Sequence, residues 1–161
     1  MAAATSKFQG KNWVDVGSVT ESELRYFLKL ATGIKEAIRE RRIERYRLAD
    51  ERDLFAALLF YEPSTRTRFS FEIAAIRLGL KTVGFSGTEA TSVKKGESLL
   101  DTVDMFDAYD MDAVILRHPL DGAAKAVAEH FTRPGRPLCC FNGGDGMNEH
   151  PTQGLLDVFT I

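Results

Sequence analysis

The sequence predicts an α/β domain built on an open, mostly parallel four-stranded sheet with helices on both faces. Apolar runs of strand length alternate with segments of helical period along the chain. These runs lack the in-out alternation of a half-exposed strand, as expected of strands covered on both sides. Polar clusters also fall at each strand-to-helix handover, where open α/β sheets bind their ligands. At 161 residues the chain can fill one core but not two large ones.

The elements follow in order. Thr20-x-x-Glu23 is a capping box, and Leu24, Phe27, Leu28, Ala31, Ile34 and Ile38 then recur at helical spacing. The charged continuation "RERRIERYR" interleaves Glu40 and Glu44 among its arginines and reads as a solvated face. "DLFAALLFYE" is the first strand. "RTRFSFEIAAIRLGL" places Phe69, Ile73, Ile76 and Leu80 at three- and four-residue steps, with Gly79 near its end as a stop signal, so a helix follows the first strand directly. Strand "KTVGFS", helix "GESLLDTVDMFDAY", strand "MDAVILR", helix "DGAAKAVAEHF" and strand "RPLCCFN" follow, and a last helix opens in "HPTQGLLDVFTI".

A formal net charge of -2 argues against a broad nucleic-acid or anionic-membrane surface, so anion chemistry must come from a local cluster. The start "MAAATSKFQG" lacks the charged and apolar regions of a secretory signal, and no run approaches the ~18 apolar residues of a membrane span. A cytoplasmic protein is expected. Cys139 and Cys140 are adjacent in an apolar run, too few for a disulfide framework or a zinc site, and read as packing residues.

Four handovers converge on one sheet edge. In "EPSTRTR", Ser64 and Thr65 are capping candidates; the first-turn amides, the hydroxyls of Ser64, Thr65 and Thr67, and the forked guanidinium of Arg66 together suit an oxyanion. The alternative is a capped helix whose arginines face solvent. No Gly-Lys-Ser/Thr follows, which argues against a nucleoside triphosphate. "TSVKKGES" offers Ser92, Lys94 and Lys95, either as phosphate donors at the mouth of a site or as ordinary surface groups. In "ILRHPLDG", Arg117 stands at a strand end within reach of the same edge, whereas His118, held extended by Pro119, suits capping or packing. In "GDGMNEHPTQ", His150 and Gln153 flank a helix start with Pro151 at its first position; the histidine can donate to a carbonyl oxygen and the glutamine can accept from an amide.

"STRTR", "KKGES", "RHP" and "HPTQ", in this order and spacing, resemble the carbamoyl-phosphate domain of the aspartate and ornithine carbamoyltransferases, with "GDGMNEHPTQ" and "KKGES" nearer the aspartate branch. The resemblance runs from about Trp13 to Ile161, leaving residues 1–12 as an N-terminal tail. It implies that Ser64, Thr65, Arg66 and Thr67 hold the phosphate beside Arg117. It further implies that Thr67, Arg117 and His150 polarise the carbonyl oxygen of carbamoyl phosphate and that Gln153 takes its amide. Ser92 and Lys95 would reach a neighbouring subunit's site, making a homotrimer the minimum active assembly. The implied reaction moves the carbamoyl group to L-aspartate with no metal or organic cofactor. The aspartate-binding domain of such chains has no counterpart here, and "LLDVFTI" reads as cut; this chain alone is then expected to be inactive. An ornithine-specific transferase and a non-catalytic half-length anion-binding or assembly module are the alternatives.

Overall fold

The computed structural model describes residues 10–48, 53–87, 96–131 and 138–161. Four strands, β1 (Phe55–Phe60), β2 (Lys81–Ser86), β3 (Ala113–His118) and β4 (Cys139–Asp145), form one parallel sheet in the order β2-β1-β3-β4. The chain starts in the middle, adds β2 on one side, then crosses back to lay β3 and β4 on the other. Because successive strands are parallel, each return runs through a helix: α2 (Thr65–Leu78), α3 (Leu99–Ala108) and α4 (Ala123–His130). Helix α1 (Glu21–Arg39) precedes the sheet with a short 3-10 turn (Ile43–Tyr46), and α5 (Pro151–Thr160) follows it.

The central strands are buried as their unbroken apolar runs require. Ala56 to Phe60 are no more than 1% exposed. Alternate residues feed two cores. Ala57, Leu59, Val114, Leu116 and Cys140 meet Val103 and Phe106 of α3 and Ala124 and Val127 of α4. Ala56, Leu58, Phe60 and Ile115 meet Ala75 and Phe71 of α2 on the opposite face. Burial pushes the Cys140 thiol up to about 12, so it stays protonated and acts as packing.

Local signals set several boundaries. Thr20 Oγ1 accepts from the Glu23 amide while Glu23 Oε2 accepts from the Thr20 amide, closing the expected capping box. Gly79 ends α2 in the left-handed conformation at φ 97. An equivalent box formed by Ser98 and Asp101 starts α3.

The apolar residues that mark α2 by their spacing do not face the sheet. Phe69, Ile73 and Ile76 are 52%, 46% and 49% exposed. The helix instead turns Phe71 and Ala75 to the sheet, because small Ala75 permits close approach over Leu58 and Phe60. The stripe on α1 is likewise only half-covered, with Ile38 exposed and Ala37 buried. On the far edge, Trp13 extends the sheet by one rung: its amide donates to the Cys140 carbonyl and its carbonyl accepts from Asn142, while its ring stacks on Phe27.

Candidate active site

The parallel pairing brings the ends of β1, β3 and β4 side by side. Phe60 pairs with Arg117, and His118 with Asp145. The first handover, the last turn of β3 and the loop after β4 therefore share one edge. A cavity of about 310 Å³ opens there, lined among others by Glu62, Arg117, Gly144, Glu149 and His150.

Ser64 begins α2 in extended conformation, yet its side chain makes no cap to its own helix. Its hydroxyl instead donates to Thr67 Oγ1 at 3.0 Å. That differs from the capping role expected of Ser64, and it has two consequences. The side chain leaves the first-turn amides, with the positive end of the helix, to another acceptor. It also fills an acceptor position of Thr67, leaving the Thr67 proton to point at a ligand. Arg66 is exposed and has no side-chain partner among the described residues, whereas Arg68 is committed to Glu72 at 3.2 Å.

Arg117 is the most constrained group. Its Nη1 donates to the Gly143 carbonyl at 3.0 Å and its Nη2 to Glu62 Oε1 at 2.6 Å, while Nε is buried without a partner among the described residues. Gly144 sits against it at φ 113; a Cβ there would lie 2.6 Å from Arg117 Nη1 and 3.8 Å from His150 Cδ2. Only glycine lets the guanidinium and the imidazole converge over this point of backbone. His150 is the N-cap of α5, with its Nδ1 3.2 Å from Thr152 Oγ1. Burial, reinforced by the Arg117 cation, lowers its pKa and favours the neutral ring. Gln153 is exposed; its Nε2 donates to Asp157 Oδ1 at 2.9 Å, which turns the amide nitrogen away and leaves the carbonyl oxygen as an acceptor.

His118 is buried and structural. Its Nδ1 accepts from the Leu120 amide at 3.1 Å and its ring packs on Tyr61. Ser92, Lys94 and Lys95 lie outside the described residues. Arg117 and His150 line the cavity; Ser64 to Thr67 stand at the adjoining handover, and Gln153 one turn into α5.

Sequence reasoning missed the groups that hold this arrangement in place. Asp145, 1% exposed, accepts from Gly122 N at 3.0 Å and from Asn142 Nδ2 at 2.8 Å, and also from Asn148 Nδ2 and Glu149 N. Asn142, fully buried, spans the same junction: Nδ2 also donates to the carbonyls of Val14 and Glu149, and Oδ1 accepts from Gly144 N. Glu149 Oε2 in turn accepts from Val16 N at 2.6 Å. An Asn and an Asp at the end of an apolar strand were the available signal, because buried polar side chains require partners.

Comparisons with known proteins place the chain in a family. A family model described as "Aspartate/ornithine carbamoyltransferase, carbamoyl-P binding domain" matches residues 11–161. The chain is 42% identical over 154 residues to the aspartate carbamoyltransferase catalytic subunit of Thermococcus gammatolerans, covering 96% of this chain and 47% of that protein. The corresponding subunit of Methanosarcina barkeri is 43% identical over the same length. Among solved structures, the aspartate transcarbamoylase of Trypanosoma cruzi in complex with carbamoyl phosphate and aspartate superposes with a TM-score of 0.82 at 32% identity, over 96% of this chain and 45% of that one. The catalytic subunit from M. jannaschii gives 0.78 at 38% identity, over 94% and 46%. The chain thus spans about half the length of the relatives it matches. With its matched residues running from the N-terminal edge segment through α5, the chain belongs to the aspartate/ornithine carbamoyltransferase family, as a carbamoyl-P binding domain.

Proposed function

We propose that this chain binds carbamoyl phosphate and supplies that half of the site in a cytoplasmic aspartate carbamoyltransferase, which transfers the carbamoyl group to L-aspartate. The observation that carries the reading is the meeting of Arg117 and neutral His150 over Gly144, beside a helix start whose own serine leaves it uncapped. The amides of the first turn of α2, with Ser64, Thr65, Arg66 and Thr67, hold the phosphate. Thr67, Arg117 and His150 donate to the carbonyl oxygen, and the Gln153 carbonyl accepts from the carbamoyl NH₂. As the aspartate nitrogen bonds to the carbamoyl carbon, the bond from that carbon to the bridging oxygen breaks, and the amine's proton passes to the departing phosphate. Donors aimed at the developing oxyanion are the main catalytic contribution.

The relatives are about twice as long, so the residues that grip aspartate are assigned to a second domain. Isothermal calorimetry and a carbamoyl-aspartate assay on the chain test this together: carbamoyl phosphate should bind and no turnover should appear. Absence of binding would sink the reading. Turnover by the isolated chain would overturn the need for a second domain.

A homotrimer is part of the same proposal. The outward Phe69, Ile73 and Ile76 leave an apolar face on α2 that a second copy would cover. Ser92 and Lys95 are assigned to the adjacent subunit's site.

Glu62 competes with the anion for Arg117. Both side chains are partly solvated, and such pairs are worth roughly 0.2–1 kcal/mol. Glu62→Gln is therefore expected to tighten inorganic phosphate binding by roughly 1.4- to 5-fold in calorimetry, and weakened binding would show that Glu62 supports the anion.

A further inference from the structure

We propose that Thr152 sets the tautomer of His150: its hydroxyl donates to Nδ1, placing the ring proton on Nε2, next to the Cδ2 edge that lies towards Gly144 of the cavity lining. Resting on the carbamoyl-transfer reading, this makes Thr152 a positioning residue that acts through His150.

Distance alone leaves the direction open, since either atom of the 3.2 Å contact could donate. The hydroxyls elsewhere in the helices decide it. Thr32 donates to the Leu28 carbonyl and Thr160 to that of Leu156, each four residues back. Thr152 stands in the first turn of α5, where no preceding turn offers such a carbonyl, and among the described residues His150 Nδ1 is the acceptor within its reach. A hydroxyl has one proton, and among the described residues Nδ1 is the acceptor in place to take it. The helix adds to the preference, because its positive N-terminal end favours a lone pair at Nδ1 over a second N–H.

Arg117 opposes this. The Cδ2 edge of the ring, next to Nε2, lies towards Gly144 and the guanidinium, and a cation there attracts a lone pair. Glu62, 2.6 Å from Arg117 Nη2, offsets much of that charge. The direct hydrogen bond at Nδ1 then prevails over a partly neutralised cation.

The tautomer separates two chemistries. With the proton on Nε2, the ring can donate to a carbonyl oxygen as charge builds on it. With the proton on Nδ1, Nε2 presents a lone pair, which repels that oxygen and instead suits removal of a proton from an incoming amine.

The test requires no turnover. In the chain labelled with ¹⁵N-histidine, two-bond ¹H–¹⁵N spectra above neutral pH distinguish the protonated ring nitrogen from the bare one. His118, whose Nδ1 accepts from an amide, serves as the internal reference. The expected spectrum shows His150 bare at Nδ1. Thr152→Val should shift the tautomer ratio by about 5-fold, the worth of one net hydrogen bond, and Thr152→Ser should restore it. Thr152→Ala provides the same comparison without the extra methyl group. A wild-type ring bare at Nε2, or a ratio unmoved by loss of the hydroxyl, would overturn the proposal. Phosphate titration of the same samples reports separately on the functional reading: a correct tautomer with no anion binding would sink that reading and leave the Thr152 assignment standing.

Discussion

Arg66→Ala is expected to weaken carbamoyl phosphate and inorganic phosphate binding by roughly 10- to 150-fold, the range for losing a hydrogen bond to a charged group. The structure explains why the loss should fall on binding and spare the fold. Arg66 is exposed at the start of α2 and has no side-chain partner among the described residues, so its removal opens no cavity and strands no buried charge. The neighbouring Arg68 cannot take over, because its guanidinium is held by Glu72 one turn along the helix. Arg66→Lys should recover only part of the affinity, since an ammonium keeps the charge but not the two-pronged geometry. Calorimetry and a thermal melt on each variant check the two halves of the statement, and unchanged affinity for Arg66→Ala would remove this residue from the phosphate cradle.

For His150→Ala the expected result is the reverse split. In a form of the protein that carries the aspartate-binding domain, turnover should fall ~100- to 1,000-fold, the usual effect of deleting one oxyanion donor, while phosphate affinity stays near its starting value. Equal losses in both would place His150 on the phosphate. The wild-type pH profile bears on the same point. Both burial and Arg117 push the His150 pKa below its ordinary 6.5, so the neutral donor persists into mildly acidic solution. Activity limited by this ring should decline only below that ordinary value. Stability has the same sign. His118 is also lowered, by its burial, against the pull of Asp145. As pH falls from 6.5 towards the folded-state values, the unfolded chain binds more protons than the native one, so acidification through that window destabilises the fold.

What could be read from the sequence was mostly local or periodic. The Thr20–Glu23 box, the left-handed stop at Gly79, Pro151 opening α5 and the handovers near Ser64, Arg117 and His150 each depend on a few adjacent residues. The inward face of α2 was not legible, because the helix carries apolar residues on more than one side and only the sheet beneath selects Phe71 and Ala75. The role of Ser64 was misread for a related reason: a hydroxyl at an N-cap has a ready local partner, and here the side chain of Thr67 took it instead of a backbone amide. "NGGD" reads as a loop by composition, yet β4 runs on to Asp145 because Asn142 and Asp145 find buried partners from distant parts of the chain. Such pairings follow from topology and have no signature in neighbouring residues.

The buried amide of Asn142 touches the carbonyl of Val14 and that of Glu149, while Glu149 reaches back to the amide of Val16. The segment from Val14 to Val16 and the last loop before α5 are therefore sewn to one another across the end of β4. Neither can open without breaking the seam, so their amide protons should exchange with solvent as one cooperative unit. A reaction partner or a second domain that pulls on either segment would be felt at His150 through this stitch, giving the outer edge of the sheet a mechanical hold on the chemistry at its end.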